Sequence, residues 1–410
     1  MTKPSILDNL DFNDCDFMVG DVPDLHRVLE RLRSQRPYAI VPLATVPAVL
    51  LLTHDLVSAA FKDEQTFPAS ALYPLSTGPV LGKTLQCMAG TEHRKNRALV
   101  APAFRRRQIA DKITPILAPL AHELIDRFAD RGTADLVAEF TTYYPALLIS
   151  RLLGLPVQDE DQIRTWAHDL FYFPFDPRAA MRASTDFTAL VTPILADRRK
   201  NPRDDLISVL VTARIDAEDD AELAGESLSD EEVLSFLRLL FPAGADTTML
   251  ALGNTISALL THPDQMAILL SDIHENVQWA IWEGMRWEPP VGLLPRACPH
   301  ATTWNGIEIP AQTPMIFSIN AAHRDPAVWP DPHRFDITRR KTVMLSFGQG
   351  PHSCVGNWLA LAELQTALKA LIERLPGLRF QDGAAERGLV TSQVGTTLRG
   401  PNELAVQWDN

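Results

Sequence analysis

The chain has 410 residues, 46% hydrophobic and 22% charged, an ordinary globular composition with ample material for a large buried core, which excludes disorder as its ground state. Its formal net charge of −13 excludes a general nucleic-acid binder, because neutralising phosphates takes a basic face. Four cysteines at wide spacing, Cys15, Cys87, Cys298 and Cys354, match neither a disulfide framework nor a paired zinc motif and fit a reducing compartment.

The first residues, MTKPSILDNLDFNDCDF, show neither a basic start with an apolar core behind it nor a run of about 20 apolar residues, so a cytoplasmic protein without a membrane span is expected. No linker, composition break or internal repeat divides the chain, and a single domain over 1–410 is the expectation. Strand-like pieces come first in YAIVPLATVPAVLLLT, from Tyr38 to Thr53. From about Thr91 to Leu375 apolar residues recur at three- and four-residue steps, as in DKITPILAPLAHELIDRFAD and DFTALVTPILADRR, the period of amphipathic helices.

The longest helix is expected to begin at Ser229, where Ser229 and Glu232 have capping-box spacing, and to run to about Leu260 before His262-Pro263 stops it. At 1.5 Å per residue it would be roughly 45–50 Å long. In its middle, LFPAGADTT, Pro242 withdraws a backbone donor and Gly244 weakens the helix beside Asp246, Thr247 and Thr248. Threonines in a kinked core helix commonly bond back to carbonyls one turn earlier. A carboxylate at the centre of a long apolar helix is another matter, costly unless something uses or pairs it. Further on, Glu283 and Arg286 stand three apart on a helix ended by Pro289-Pro290 and share a face, a spacing that an ordinary surface ion pair also satisfies. Strands are expected again around 301–319 and in TTLRGPNELAVQW near the C-terminus, giving a mainly α fold with a small β region.

The segment with most chemistry is Phe347-Gly348-Gln349-Gly350-Pro351-His352-Ser353-Cys354-Val355-Gly356, followed by the helical pattern NWLALAELQTALKALIERL. Its glycines let the backbone approach a flat ligand and take positive φ. A cysteine just ahead of a helix is favoured as thiolate by nearby N–H groups and the helix dipole. A zinc site would want more donors than His352-x-Cys354 supplies, and a nucleophilic cysteine would want a base.

This segment closely resembles the cytochrome P450 family, whose signature FGxGxHxCxG is matched at every fixed position, and the resemblance extends from about residue 60 to the C-terminus. It implies a haem b cofactor with Cys354 as axial iron ligand and with Phe347, Gly348 and Gly356 in the cofactor loop. Glu283-Gly284-Met285-Arg286 matches the family's ExxR, and Pro332-His333-Arg334-Phe335 matches the segment that supplies a second arginine. Glu283, Arg286 and Arg334 are thereby assigned to hold the cysteine loop. The resemblance places His93, Arg97, Arg296 and His352 on the haem propionates, which need cationic or hydrogen-bonding partners.

Asp246-Thr247 match the family's acid–alcohol pair, implying a monooxygenase that puts one atom of O2 into a C–H bond or an alkene. A peroxide-using hydroxylase and a haem-based binding or gas-sensing protein are the alternatives. Electrons are expected from a separate ferredoxin and an NAD(P)H-dependent reductase, with Arg105-Arg106-Arg107 and Arg339, Arg340 and Lys341 as basic runs for docking. The substrate expected is an apolar small molecule, with Leu72, Tyr73, Phe171, Phe173, Leu239, Ala243, Leu293 and Val394 as candidate lining from the family's pocket regions. A monomer is expected.

Overall fold

A computed structural model describes residues 6–8, 10–11, 16–18, 21–22, 24–156, 158–173, 175–384 and 393–409. Cys15 lies outside the described residues. The apolar stretch at 38–53 folds as an antiparallel hairpin of Tyr38–Leu43 and Val46–Leu51. Ala44 and Thr45 turn it with φ of 51° and 68°, a region that residues with a Cβ enter reluctantly. The Asp16 carboxylate accepts both of their N–H groups, at 2.8 and 2.6 Å, and so offsets the strain.

The second hairpin strand pairs in parallel with Thr313–Ser318, which pairs antiparallel with Leu293–Cys298 to complete a four-stranded sheet. The strand 293–298 was not expected from the sequence. Side chains alternate across the sheet. Val49, Leu51, Met315 and Phe317 pack with Phe61 and Phe67 on one face. Ala48, Leu50, Ile316 and Leu293 pack with Leu25, Leu29 and Leu32 of the helix Leu25–Gln35 on the other.

The chain divides into two compact units, neither continuous in sequence: Met1–Leu72, Leu250–Cys354 and Gly377–Asp409 form the first, and Tyr73–Met249 and Val355–Pro376 the second. Within the first, Glu288 sits just past the helix Ile273–Trp287 at the centre of a buried charge knot. His26 Nε2 meets its carboxylate at 2.7 Å and Arg399 Nε donates to it at 3.1 Å, while Arg399 also reaches Asp21 at 3.3 Å. The Asn254 amide donates to the carbonyls of Glu288 and Arg399. Burial alone would push the Glu288 carboxyl up, but His26 and Arg399 outweigh it and hold the group below the ordinary carboxylate range.

In the second unit, Thr114–Asp126 packs on Asn357–Arg374 and Glu160–Phe171 on Pro177–Lys200, with Asp159, Asp176 and Asp205 capping helix starts through their carboxylates. The long helix is Asp230–Thr261, and the capping box forms as read: Glu232 N–H donates to Ser229 Oγ at 3.2 Å and Ser229 N–H to the Glu232 carboxylate at 2.8 Å. The helix stays continuous past Pro242. Gly244 is there for packing: a Cβ would lie 2.7 Å from Ile149 Cδ1 of the helix Tyr143–Leu153. The long helix is long and apolar enough to cross a membrane, yet 61% of its most apolar window is buried inside the protein.

Candidate active site

The cysteine loop is built by backbone geometry. Gly348 and Gly350 have φ of 61° and 72°, and a Cβ on Gly350 would stand 2.5 Å from the Phe61 carbonyl oxygen, so this residue must be glycine. Gly348 N–H donates to Leu345, Ser353 N–H to Gly350 and Cys354 N–H to Phe347, the last at 2.7 Å. These turns leave Cys354 exposed directly ahead of the helix Asn357–Arg374, with Gly356 as its N-cap. Gln349 accepts from Ser58 Oγ at 2.8 Å, and His352 Nε2 lies 3.1 Å from Glu64, so one ring nitrogen of this propionate candidate meets a carboxylate of its own unit. Arg296, on the strand Leu293–Cys298, is buried with its guanidinium 5.9 Å from the Phe317 ring centre. A single cysteine sulfur at the end of a glycine turn, with His352 and Arg296 in the same unit, fits an iron porphyrin, and no group of three or more metal-ligating side chains occurs among the described residues.

Behind the loop, Glu283 and Arg286 form a bidentate pair at 2.7 Å for both bonds, almost wholly buried. Arg286 also donates to the carbonyls of His323, Pro332 and Arg334. The second arginine on Glu283 is Arg339, at 3.2 Å, and this corrects the assignment of Arg334, which contributes a backbone carbonyl and leaves its side chain exposed. The reason is loop geometry: the turn closed by Arg339 N–H on the Asp336 carbonyl brings the Arg339 guanidinium to Glu283 and to the carbonyls of Pro330 and Asp331. Lys341 likewise donates to the Val328 carbonyl, while exposed Arg340 donates to Asn276 on the helix Ile273–Trp287, so each residue of the second basic run already has a partner within the first unit. The first run, Arg105-Arg106-Arg107, is exposed, with the Arg106 guanidinium 5.2 Å over the Trp358 ring.

In the second unit, Asp246 is 6% exposed, and burial first, then the nearby Asp169 charge, push its carboxyl up to about 8. Thr247 donates to the Ala243 carbonyl at 2.7 Å, the ordinary back-bond of a helical threonine. The next residue, Thr248, is hydrogen-bonded to Glu363, a fully buried carboxyl held well above its usual range by burial. Glu363 was missed in the sequence although its place was visible, four residues from both Leu359 and Ala367 on the apolar stripe of its helix. His93 is buried and Arg97 half-buried on one face of the helix Gly90–Val100.

Of the candidate lining residues, Tyr73 is buried, and Phe171, Phe173, Leu239 and Ala243 are half-buried, all in the second unit. Leu72 and Val394 are half-buried in the first, Val394 bridged to Gly400. Leu293 is corrected: it is 1% exposed and part of the core under the sheet, because strand alternation turns it to the helix Leu25–Gln35 face.

An exposed cysteine on a glycine turn and a buried Glu–Arg pair in the same unit are the marks of a haem-thiolate class of protein. The chain belongs to the cytochrome P450 family, whose family model, described as Cytochrome P450, matches residues 20–377. It is a haem-containing P450 monooxygenase of the bacterial type. It is 38% identical to the mycinamicin IV hydroxylase/epoxidase of Micromonospora griseorubida over 79% of each chain. It is 30% identical to the 6-deoxyerythronolide B hydroxylase of Saccharopolyspora erythraea, covering 94% of this chain and 96% of that one. Among solved structures, the bacillaene polyketide synthase P450 PksS of Bacillus subtilis 168 superposes with a TM-score of 0.84 at 28% identity, covering 94% of this chain and 97% of that one.

Proposed function

We propose that the whole of 1–410 works as one haem b domain that hydroxylates or epoxidises an apolar small molecule with O2, taking electrons from a ferredoxin and its NAD(P)H-dependent reductase. The observation that carries this reading is the exposed Cys354 at the end of its glycine loop. Relatives named for hydroxylating or epoxidising mycinamicin IV and for hydroxylating 6-deoxyerythronolide B support the reaction class. Cys354 would hold the iron, and Arg97, Arg296, His352 and His93 the propionates. When bound, the haem supplies reductive activation of dioxygen.

The chain's own part is proton handling and positioning. Asp246, with its carboxyl near 8, keeps its proton at neutral pH and is poised to give it up, as a general acid should be. Thr247 can pass that proton only by rotating off the Ala243 carbonyl, a bond that holds its hydroxyl in wait. Exposed Arg106 on Trp358 gives the partner a basic, partly apolar footing in a chain of net charge −13, consistent with an acidic ferredoxin. The protein is proposed to be a cytoplasmic monomer.

The test is product formed per NAD(P)H consumed, with peroxide measured in parallel, using ferredoxin and reductase. Thr247→Ala should consume NAD(P)H and O2 while releasing more peroxide and less product. Unchanged coupling would remove Thr247 from the chemistry, and full turnover on peroxide without electron donors would favour the peroxide-using reading.

A further inference from the structure

Cys354 is held at the end of a hydrogen-bonded chain that starts at a buried imidazole. Cys354 N–H donates to the Phe347 carbonyl at 2.7 Å, and Gly348 N–H to the Leu345 carbonyl at 2.9 Å. Leu345 N–H in turn donates to Nε2 of His323 at 2.8 Å. Leu345 and His323 are both 0% exposed, so no water can substitute at that bond.

His323 is itself fixed from several sides. Its N–H donates to the Ile319 carbonyl at 2.9 Å, and its carbonyl accepts from Arg286 Nη1 at 3.1 Å. Its ring meets Trp329 edge-on at 6.2 Å between centres. Nδ1 faces the Met285 and Arg286 backbone without closing a hydrogen bond of ordinary geometry. Because Nε2 accepts, the ring proton stands on Nδ1. Burial first, then the Arg286 charge, lower the ring to about 3, so Nε2 remains an acceptor throughout the working pH range.

We infer that His323 is the positioning residue of the cysteine loop: by accepting from Leu345 N–H, its Nε2 sets where the 345–354 turn presents the Cys354 sulfur. The Glu283–Arg286 pair holds the neighbouring 332–339 segment and Ser346 Oγ donates to the Met285 carbonyl, while His323 takes the buried backbone N–H at the head of the 345–354 turn. The inference rests on Cys354 being the haem ligand.

Hydrogen exchange on the full-length holoprotein tests it without any variant: the Leu345 amide should be strongly protected, and exchange at the rate of an unprotected amide would overturn the inference. Among variants, His323→Leu removes the acceptor and leaves Leu345 N–H buried and unmet, whereas His323→Gln places an amide oxygen near the position of Nε2. The leucine variant should speed exchange at Leu345, Gly348 and Cys354 by about tenfold or more. It should also lower the share of the reduced carbonyl complex that shows the thiolate band. The glutamine variant should restore both. A leucine variant with native exchange, or a glutamine variant no better than leucine, overturns the role of Nε2. Cys354→Ala separates the two readings: a surviving thiolate band would sink the ligand assignment itself, whereas loss of the band there beside a native-like His323→Leu would sink only the inference about His323.

Discussion

Replacing Asp246 by Asn should make the protein's stability less sensitive to alkali, and the size of the effect follows from its surroundings. Burial and the Asp169 charge move the carboxyl from 3.8 to about 8. At 1.36 kcal/mol per pH unit, that gap corresponds to about 5–6 kcal/mol between the protonated and ionised forms. Between about pH 4 and 8 the native state holds a proton that the unfolded chain has lost, so the stabilisation present below pH 4 drains away as pH rises through 8. The asparagine cannot ionise and escapes this loss. With about 1 °C of melting temperature per kcal/mol in a chain of this length, and about 4 kcal/mol of that loss falling between pH 5 and 8.5, Asp246→Asn should gain about 4 °C on the native protein across that range. Water drawn to the carboxylate would shrink that figure. Thermal melts at equal scan rate across that range measure the difference, and a gap that stays constant with pH would refute the reasoning. Asp169→Asn, which removes the second cause, should move the native protein's loss of stability to lower pH.

Arg286→Leu should cost about 3–5 kcal/mol and most of the bound haem, because Glu283 is left charged and buried, whereas Arg334→Ala should cost less than about 0.5 kcal/mol; melting and haem per chain distinguish them. Gly350→Ala should cost about 1–3 kcal/mol through its positive φ, with more from the Phe61 carbonyl, and a variant that loads haem at native yield would show that the loop can yield. Glu363→Gln should leave melting at pH 7 within about 1 kcal/mol of native, since the amide keeps the shape and can keep the bond to Thr248 where burial disfavours a charge, whereas Glu363→Ala should cost more by opening a cavity.

The features legible in the sequence were those fixed by short-range chemistry. Ser229 and Glu232 announced the start of the long helix because a capping box is complete within four residues, and the cysteine loop spelled out its own turns in glycine. What escaped depends on contacts that no local spacing encodes. The strand Leu293–Cys298 exists because Thr313–Ser318 lies beside it, and Pro295 and Arg296 broke its apolar pattern. Arg339 rather than Arg334 reached Glu283 because the two stand in an irregular loop, where side-chain direction has no period to follow. Gly244 read as a weakness in a helix and proved to be the seat of Ile149.

The knot at Glu288 bears on how the protein is made. Glu288 and Arg399 are 111 residues apart, and His26 stands 262 residues before Glu288. A nascent chain therefore carries the carboxylate of Glu288 through much of its synthesis before its guanidinium partner exists. Burying that charge early would be costly, so the first unit should close only once translation has passed residue 399. A polypeptide stopped short of Arg399 should keep this region open to water and to proteases, a difference that limited proteolysis of truncated chains would show.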